Sequence, residues 1–283
     1  MSASPSPACR LCGGATRFAL NAMIMGKHNI AYYLCDDCRS LQTEAPYWLE
    51  EAYAPRGIGF DGGMATRTIQ IVIDTLALLY QLKMDGKKLY IDFGGGTGLF
   101  TRLMRDHGFN FFHYDKYEQP YFSNPYNLND LASFRPHVIT AYEVLEHLPN
   151  PAEVLDDFFR RTPELILFGT DIFHVPVDPS WPYLALPSGQ HVFFYSETGL
   201  NKIAGRYGYV FRNLGFVKLF AHPQWILECT AQGVDFEALC ALVRHNRPAF
   251  DHYAFNLFAQ SHAVLTDQMR SRVHEHPKEV SAL

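Results

Sequence analysis

Four of the six cysteines stand near the N-terminus as two close pairs. Two residues separate Cys9 from Cys12 and Cys35 from Cys38, and residues 13–34 lie between the pairs. A two-residue gap lets a tight turn direct both sulfurs at one metal ion, and two such turns complete a tetrahedral thiolate shell. Disulfides or a redox site are the alternative, but a cytosolic chain keeps its thiols reduced and neither pair has a thioredoxin-like context. The spacing therefore predicts a structural zinc site with no open position for water or substrate.

A glycine-rich run at residues 92–98, Asp-Phe-Gly-Gly-Gly-Thr-Gly, is the second group with chemical potential. It follows a strand pattern and precedes a helix pattern at 99–107. Its alternate glycines let the backbone approach a ligand that a Cβ would push away. The run lacks the Gly-Lys-Ser/Thr ending of a phosphate-binding loop, and Leu99 stands where a dinucleotide turn has glycine. Asp115 ends the next strand pattern, where an acid can accept both hydroxyls of a ribose.

These features resemble the class I S-adenosylmethionine-dependent methyltransferases over about residues 88–230. The family's first motif matches residues 92–98, its second-strand acid matches Asp115, and its fourth strand with the following loop is similar to residues 137–148. The resemblance implies an α/β fold with a Rossmann-like seven-stranded sheet, and S-adenosyl-L-methionine as cofactor.

The resemblance also assigns cofactor-binding residues. Gly94, Gly96 and Gly98 belong to the turn around the methionine moiety, and Asp92 either contacts the cofactor or only orients the turn. The other implied contacts are Asp115 at the ribose, Asn129 or Asp130 at the adenine, and Glu143 facing the sulfonium. A nearby carboxylate favours a cationic sulfur.

The segment at 170–196 is long and rich in proline and aromatic residues, which is typical of a binding loop. Together with the cysteine pairs it resembles the zinc-containing sugar methyltransferases of antibiotic and polysaccharide pathways. In those proteins the loop carries a Glu-His pair followed by Phe and Ser, and the His is implicated as the base. Here Gln190 and His191 occupy that place. Because Gln cannot accept a proton, His191 either acts alone as the catalytic base or hydrogen-bonds the loop.

Secondary candidates surround this predicted acceptor site. Tyr142 and Glu143 follow the fourth strand pattern and are candidates for a catalytic role. Aromatic side chains in the loop suit a flat ligand such as a sugar face: Phe173, Trp181 and Tyr183.

The composition of the 283-residue chain narrows the function classes. A net charge of −5 and 48% hydrophobic residues indicate a globular domain without a surface for non-specific nucleic-acid binding. No apolar run is long enough to span a membrane and the N-terminus lacks the apolar core of a signal peptide, so we expect a cytoplasmic protein without membrane partners.

We expect O- or C-methylation of a small molecule, namely a sugar, nucleotide-sugar or sugar-like metabolite. One alternative is RNA base methylation, because zinc-ribbon rRNA methyltransferases combine the same two modules. The other is a non-catalytic S-adenosylmethionine-binding protein. The sequence leaves the oligomeric state open.

The elements that must position these residues follow from periodicity. We predict a zinc-binding ribbon at 1–44, a helical cap or linker at 45–86, the methyltransferase domain at 87–232 and a helical extension at 233–283. Strand patterns in the domain lie at 88–93, 111–114, 137–142 and 164–170, with a final pair at 216–220 and 225–230 and a helix at 196–207. This alternation implies a parallel sheet with an antiparallel strand near its end.

Overall fold

The computed structural model describes residues 6–54 and 62–275, with residues 262–275 as backbone only. The parts of the predicted ribbon, linker and extension at 1–5, 55–61 and 276–283 lie outside the described residues. The chain divides into two compact units. Unit 1 comprises Met1–Gly62 and Arg135–Leu227, and unit 2 comprises Gly63–Phe134 and Glu228–Leu283. The predicted four-segment division remains a prediction.

The described residues form ten strands and eight α-helices. The strands are β1 (Thr16–Ile24), β2 (His28–Cys35), β3 (Leu41–Thr43), β4 (Tyr90–Phe93), β5 (Phe111–Tyr114), β6 (Val138–Tyr142), β7 (Leu165–Gly169), β8 (Phe193–Phe194), β9 (Val210–Asn213) and β10 (Lys218–Ala221). The helices are α1 (Leu49–Ala52), α2 (Met64–Gln81), α3 (Leu99–Asp106), α4 (Pro151–Arg160), α5 (Glu197–Arg206), α6 (Pro223–Ala231), α7 (Phe236–His245) and α8 (Arg247–Glu275).

The N-terminal ribbon of unit 1 is part of a four-stranded antiparallel sheet in the order β1–β2–β3–β8. Its last strand comes from the predicted acceptor loop, where Phe193 and Phe194 pair with Gln42 and Leu41. A single apolar cluster joins ribbon residues such as Tyr32 to loop residues, all of them buried. A ribbon of this size buries little apolar surface alone, so the loop supplies the other half of its core.

The Rossmann-like part of the fold comprises two strands of unit 2 and four strands of unit 1. In unit 2, β4 and β5 are parallel. In unit 1, β6 and β7 are parallel, and β10 pairs antiparallel with both β7 and β9. The predicted α/β class, with parallel strands followed by an antiparallel one, is confirmed. The described residues form six strands of this kind instead of the expected seven, and an isolated parallel bridge joins His113 to Asn127.

One local prediction is wrong. Residues 225–230 are helical in α6, and the final strand pair is formed by β9 and β10. A short apolar run has no periodicity that separates a buried strand from a buried helix, and Pro223 begins the helix.

Unit 2 is built around α2, which packs against α3 and α8. The middle of α2 is buried on nearly all sides. Its Asp74 is 1% exposed and accepts two hydrogen bonds from Arg247, at 2.7 and 2.8 Å. A removed partner would leave this charge uncompensated, so the pair fixes α8 on α2. Within the described residues, no helix combines the length and apolar character needed to cross a membrane.

Candidate functional site

The four N-terminal cysteines converge in unit 1. The Sγ atoms of Cys9 and Cys38 lie 3.6 Å apart, as do those of Cys12 and Cys35, and all four lie within 4.8 Å of one another. These separations exceed the roughly 2.05 Å of a disulfide and suit sulfurs that share one ion at about 2.3 Å each. The geometry fits the predicted four-thiolate zinc site.

The close packing of the four thiols shifts the pKa values of three of them. A hydrogen bond from the Cys9 thiol lowers the pKa of Cys38 to about 5, whereas that bond and burial raise the pKa of Cys9. Burial raises the pKa of Cys12 to about 11. A metal ion would replace the protons of this cluster.

The cysteine knuckles hold the acceptor loop. Arg10, between the first two cysteines, donates to the carbonyls of Val192 at 2.6 Å and of Pro149 at 3.1 Å. Burial lowers the pKa of this guanidinium to about 10. From the loop, the Ser196 hydroxyl donates to the carbonyl of Cys38 and also caps α5. The ribbon and the loop at 188–196 are therefore bonded at both cysteine pairs.

In unit 2 the glycine turn, residues 94–98, connects β4 to α3. Gly94, Gly96 and Gly98 all have positive φ angles, of 68°, 54° and 79°, which L-residues rarely adopt. A Cβ on Gly98 would lie 2.1 Å from the Ser123 hydroxyl, so Gly98 is required by packing within the protein. A Cβ on Gly96 would meet no atom of the described residues within 4 Å. Gly96 is thus the position where the turn has space on the side away from those residues.

Asp115 holds the turn from the end of β5. Its Oδ2 accepts the Gly96 N–H at 2.9 Å, and its Oδ1 accepts the N–H groups of Tyr117 and Glu118 at 2.8 and 2.9 Å. A carboxylate has about four lone-pair sites, so these bonds fix the side chain and leave acceptor capacity for a ribose hydroxyl. The Asp115 carboxylate fits the ribose of the implied cofactor, and the open face of Gly96 beside it fits the methionine moiety.

The other cofactor candidates of unit 2 differ in burial. Asp92 is 3% exposed and accepts a hydrogen bond from Thr101 at 3.1 Å, an arrangement that orients the turn. Asn129 and Asp130 are exposed. The Asn129 Oδ1 accepts from Asn127 at 3.4 Å, and Asp130 accepts the N–H of Ala132 at 2.9 Å.

His113 is a functional candidate of unit 2 that sequence reasoning missed. It is fully buried on β5, and its Nε2 donates to the Gly96 carbonyl at 2.9 Å while its Nδ1 bonds Asn127 at 2.9 Å. It therefore fixes the other side of the peptide group that Asp115 holds. No motif signals this role, because a histidine within an apolar strand pattern is usually a core residue.

In unit 1 the chain turns sharply after β6. Glu143 has a φ of 55°, a costly angle for a non-glycine residue that often marks a functional site. A Cβ on Gly169 of β7 would lie 3.3 Å from both Glu143 Oε1 and Tyr142 Cδ1. Glycine at 169 thus gives room to the two secondary catalytic candidates.

A further group in unit 1, here called the Glu–His cluster, consists of Glu146, His147 and His191. One ring nitrogen of each histidine and one carboxylate oxygen all lie within 4.8 Å of one another. The histidine rings meet edge to face at 4.8 Å between centroids. His147 Nδ1 donates to the Gln190 carbonyl at 3.1 Å, and His191 Nδ1 donates to the Tyr183 carbonyl at 2.7 Å. Each histidine therefore keeps the lone pair of Nε2.

Glu146 is fully buried, and neither carboxylate oxygen has a hydrogen-bond partner among the described residues. Burial raises its pKa, and the charge on His191 opposes that rise. Burial lowers the pKa of His147 to about 4 and also lowers that of His191, the latter with a contribution from His147. The cluster offers three acceptor groups, and the nearby hydroxyls of Tyr183 and Thr170 lower the pKa of Glu146 without meeting hydrogen-bond geometry.

Gln190, which stands where the resemblance has Glu, is an anchor of the loop. Its side-chain amide donates to the Ala52 carbonyl at 3.0 Å, a bond that an ionised carboxylate cannot make. The carboxylate near His191 comes instead from Glu146, 45 positions earlier in the chain. Sequence reasoning missed this contact, because the fold brings Glu146 close to His191 and no local sequence pattern indicates it.

The loop aromatics pack on each other and on His191. Tyr183 lies 4.6 Å from His191 and 5.2 Å from Trp181 between ring centroids. Phe173 is 2% exposed in the ribbon core, which removes it from the predicted ligand face. Trp181 and Tyr183 remain partly exposed.

Several solved structures share features of this fold. Magnesium protoporphyrin IX methyltransferase from Synechocystis PCC 6803, with bound SAH, is 13% identical (TM-score 0.36, covering 61% of this chain and 90% of that one). Human N-acetylserotonin methyltransferase with SAM is also 13% identical (TM-score 0.41, 62% of each chain). The small RNA methyltransferase HEN1 is 13% identical as well (TM-score 0.39, 53% of this chain and 25% of that one). Similarity at this level says nothing about the acceptor.

No curated protein matches the sequence at a significant level. A family model described as a methyltransferase domain matches residues 65–213, just over half of the chain. The chain therefore belongs to this methyltransferase domain family and is an S-adenosylmethionine-dependent methyltransferase.

Proposed function

We propose that this enzyme methylates an oxygen or carbon of a small molecule, a sugar or a sugar-like metabolite. The observation that carries the proposal is the Glu–His cluster. Its two partly exposed imidazoles and one buried carboxylate all accept hydrogen bonds, so the matching ligand must present donors. Adjacent hydroxyl groups of a polyol meet that requirement, and the partly exposed rings of Trp181 and Tyr183 offer a flat apolar face.

The cofactor side of the proposal rests on the glycine turn. Bound S-adenosylmethionine supplies a methyl group on a cationic sulfur and is released as S-adenosylhomocysteine. We assign the turn residues Gly94, Gly96 and Gly98, oriented by Asp92, to the methionine moiety and Asp115 to the ribose. Asn129 or Asp130 is assigned to the adenine. Glu143 is assigned to the sulfonium, because its negative carboxylate stabilises the positive charge on the sulfur.

The acceptor side rests on the loop at 188–196. The acceptor atom gives up a proton as its bond to the methyl carbon forms, and a positioned group must assist that loss. His191 is the proposed catalytic residue, because its Nδ1–H is held by the Tyr183 carbonyl and its Nε2 lone pair faces no donor among the described residues. Tyr142 and Glu143 are proposed to line the same end of β6. A hydroxyl acceptor would be aligned by these groups.

Zinc has a structural role in this proposal. Cys9, Cys12, Cys35 and Cys38 would hold the ion, whose four-thiolate shell leaves no position for substrate. Its effect on catalysis would pass through the ribbon residues that bond the loop, above all Arg10. RNA methylation remains the rival function, and the net charge of −5 disfavours it.

The central test combines cofactor binding with acceptor screening. Isothermal titration should detect S-adenosylmethionine binding, and labelled cofactor should transfer its methyl group to a component of a nucleotide-sugar or glycoside pool but not to total RNA. Labelled RNA would overturn the small-molecule proposal, and absence of cofactor binding would overturn both enzymatic functions.

His191→Ala tests the acceptor side. We expect turnover to fall about a hundredfold, the usual contribution of a group that assists proton loss, with cofactor affinity unchanged. The matched control is His174→Ala, which changes an exposed histidine of the same loop and should leave turnover intact. Equal turnover of His191→Ala and the wild type would remove His191 from the mechanism.

A further inference from the structure

We propose that Glu146, His147 and His191 form a second metal site, separate from the cysteines, that binds a divalent transition-metal ion such as Zn²⁺. The site lies entirely in unit 1, on the turn after β6 and on the acceptor loop. Two imidazoles and one carboxylate are a ligand set that holds zinc in catalytic sites and leaves a fourth position open.

The ligand atoms already converge. One nitrogen of each histidine and one Glu146 oxygen lie within 4.8 Å of one another without a bond among them that satisfies hydrogen-bond geometry. Contraction of these distances by side-chain rotation brings all three within reach of one ion, since metal–nitrogen and metal–oxygen bonds are about 2.0–2.2 Å long.

Backbone carbonyls orient both histidines. His147 donates its Nδ1–H to Gln190, and His191 donates its Nδ1–H to Tyr183. This second bond is what metal-ligating histidines almost always make, because it fixes the tautomer and directs Nε2 toward the ion. Two neighbouring histidines with the same carbonyl-held tautomer therefore present two ligand lone pairs.

The buried carboxylate of Glu146 also indicates a metal site. Its side chain is fully buried, and both oxygens have no partner among the described residues. An unpaired buried carboxylate is strongly unfavourable, and buried charges in proteins are paired or coordinate metals. Among the described residues, no lysine or arginine forms a salt bridge with Glu146. The buried Lys218 interacts with it only at longer range and directs its Nζ to the Phe216 carbonyl at 3.5 Å, and the Tyr183 hydroxyl bonds Thr170 at 3.0 Å.

The surrounding backbone holds the ligands in place without the ion. The Val192 N–H donates to the Glu146 carbonyl at 2.8 Å, which joins the turn after β6 to the residue next to His191. The Tyr195 hydroxyl donates to the Leu145 carbonyl at 2.9 Å. These bonds tie the two ligand-bearing segments, so the site is organised before metal binding.

The inference deepens the proposed function and rests on it for its catalytic consequence only. A metal ion with an open position can bind an acceptor oxygen and make its proton easier to lose. With the ion bound, His191 would be a ligand and would act through the metal, and the acceptor proton would leave to solvent water. The binding of the metal does not depend on which acceptor is methylated.

Metal stoichiometry tests the site. Full-length protein is dialysed with Zn²⁺, freed of excess metal and measured by inductively coupled plasma mass spectrometry. We expect two zinc ions per chain in the wild type and one in Glu146→Gln or His147→Gln. The control variants Glu153→Gln and His174→Gln change exposed residues and should retain two. One zinc ion per chain in the wild type, unchanged in Glu146→Gln, would overturn the proposal.

Cobalt titration of the wild type keeps the test decisive if a variant does not fold. The first equivalent of Co²⁺ in the cysteine site should give intense thiolate-to-metal absorption. A second equivalent should add weaker visible bands without further thiolate absorption. Saturation after the first equivalent would overturn the second site.

A thermal-shift measurement adds a signature that a merely structural Glu146 would not give. In protein that carries only the cysteine-bound zinc, Glu146→Gln should raise the melting temperature, because it removes an unpaired buried charge. Added Zn²⁺ should then stabilise the wild type and not the variant. Two bound metal ions without methylation of any acceptor would reject the proposed function and leave this inference standing, and methylation with one metal ion would do the reverse.

Discussion

The glycine turn of unit 2 and the Glu–His cluster of unit 1 differ in whether protein groups satisfy the hydrogen bonds of their polar atoms. Around Gly96, the N–H is bonded by Asp115 and the carbonyl by His113, so the turn is complete within the protein. In the cluster, the buried carboxylate of Glu146 has no partner among the described residues. The turn keeps its shape without a ligand, whereas the cluster is electrostatically incomplete without one.

The largest expected effect separates the two regions by metal dependence. Cys12→Ser should abolish zinc binding at the ribbon and lower the free energy of unfolding by several kcal/mol, because structural zinc supplies folding energy. The acceptor loop bonded to the knuckles should lose order with it. Zinc content and thermal unfolding are the measurements, with Cys229→Ala, a buried thiol of α6, as the control.

Full zinc content and unchanged melting of Cys12→Ser would contradict the four-thiolate site. Cofactor binding of the same variant sharpens the comparison. The hydrogen bonds that hold the glycine turn all lie within unit 2, so we expect cofactor binding to persist in Cys12→Ser.

A smaller effect is expected from Gly98→Ala, which tests whether the turn is internally packed. The added Cβ would meet the Ser123 hydroxyl at 2.1 Å in a backbone of positive φ. Overpacking and strain together should cost about 3 kcal/mol of stability. Ser123→Gly in the same chain should restore part of the loss, as measured by denaturant unfolding. Equal stability of the single and double variants would show that packing against Ser123 is not the constraint.

Gly96→Ala should have the opposite balance of effects. Its Cβ meets no atom of the described part of the chain within 4 Å, so the stability cost should be limited to about 1 kcal/mol for the positive φ. Affinity for S-adenosylmethionine should fall tenfold or more, because the methyl group enters the space proposed for the cofactor. Calorimetry and unfolding of the same variant measure both quantities. Retained affinity would place the cofactor elsewhere.

The smallest effect is expected at Thr101→Val. This change removes the hydroxyl that donates to the buried Asp92 at 3.1 Å. A lost hydrogen bond to a charged group that keeps other contacts should cost about 1–2 kcal/mol. Thr101→Ser keeps the hydroxyl and serves as the matched control in thermal unfolding. A loss in the serine variant as large as in the valine variant would assign the effect to packing.

The sequence predicts those features whose parts are close together in the chain. Both cysteine pairs and the strand–turn–helix at 90–106 are defined by spacing over a few residues, and the structure forms them. The parallel sheet with an antiparallel strand near its end follows from the alternation of strand and helix patterns. Such features can be predicted from the sequence because local backbone geometry alone sets the direction of the side chains.

Long-range contacts account for what the sequence could not predict. Glu146 and His191 meet only because the Val192 N–H bonds the turn after β6. The role of Gln190 depends on the Ala52 carbonyl, far away in the sequence. Residues 225–230 form a helix where a strand is predicted, because apolar content without periodicity does not distinguish a buried strand from a buried helix.

Arg10 gives the molecule a thermodynamic linkage. One guanidinium lies between two cysteines and also donates to the Val192 carbonyl, one residue after His191. If an acceptor orders this loop and thereby tightens zinc binding, zinc must increase the affinity for the acceptor by the same factor. Chelator competition with and without a methylated product measures that factor. A cell that limits zinc would then reduce methylation through the affinity for the acceptor as well as through the stability of the ribbon.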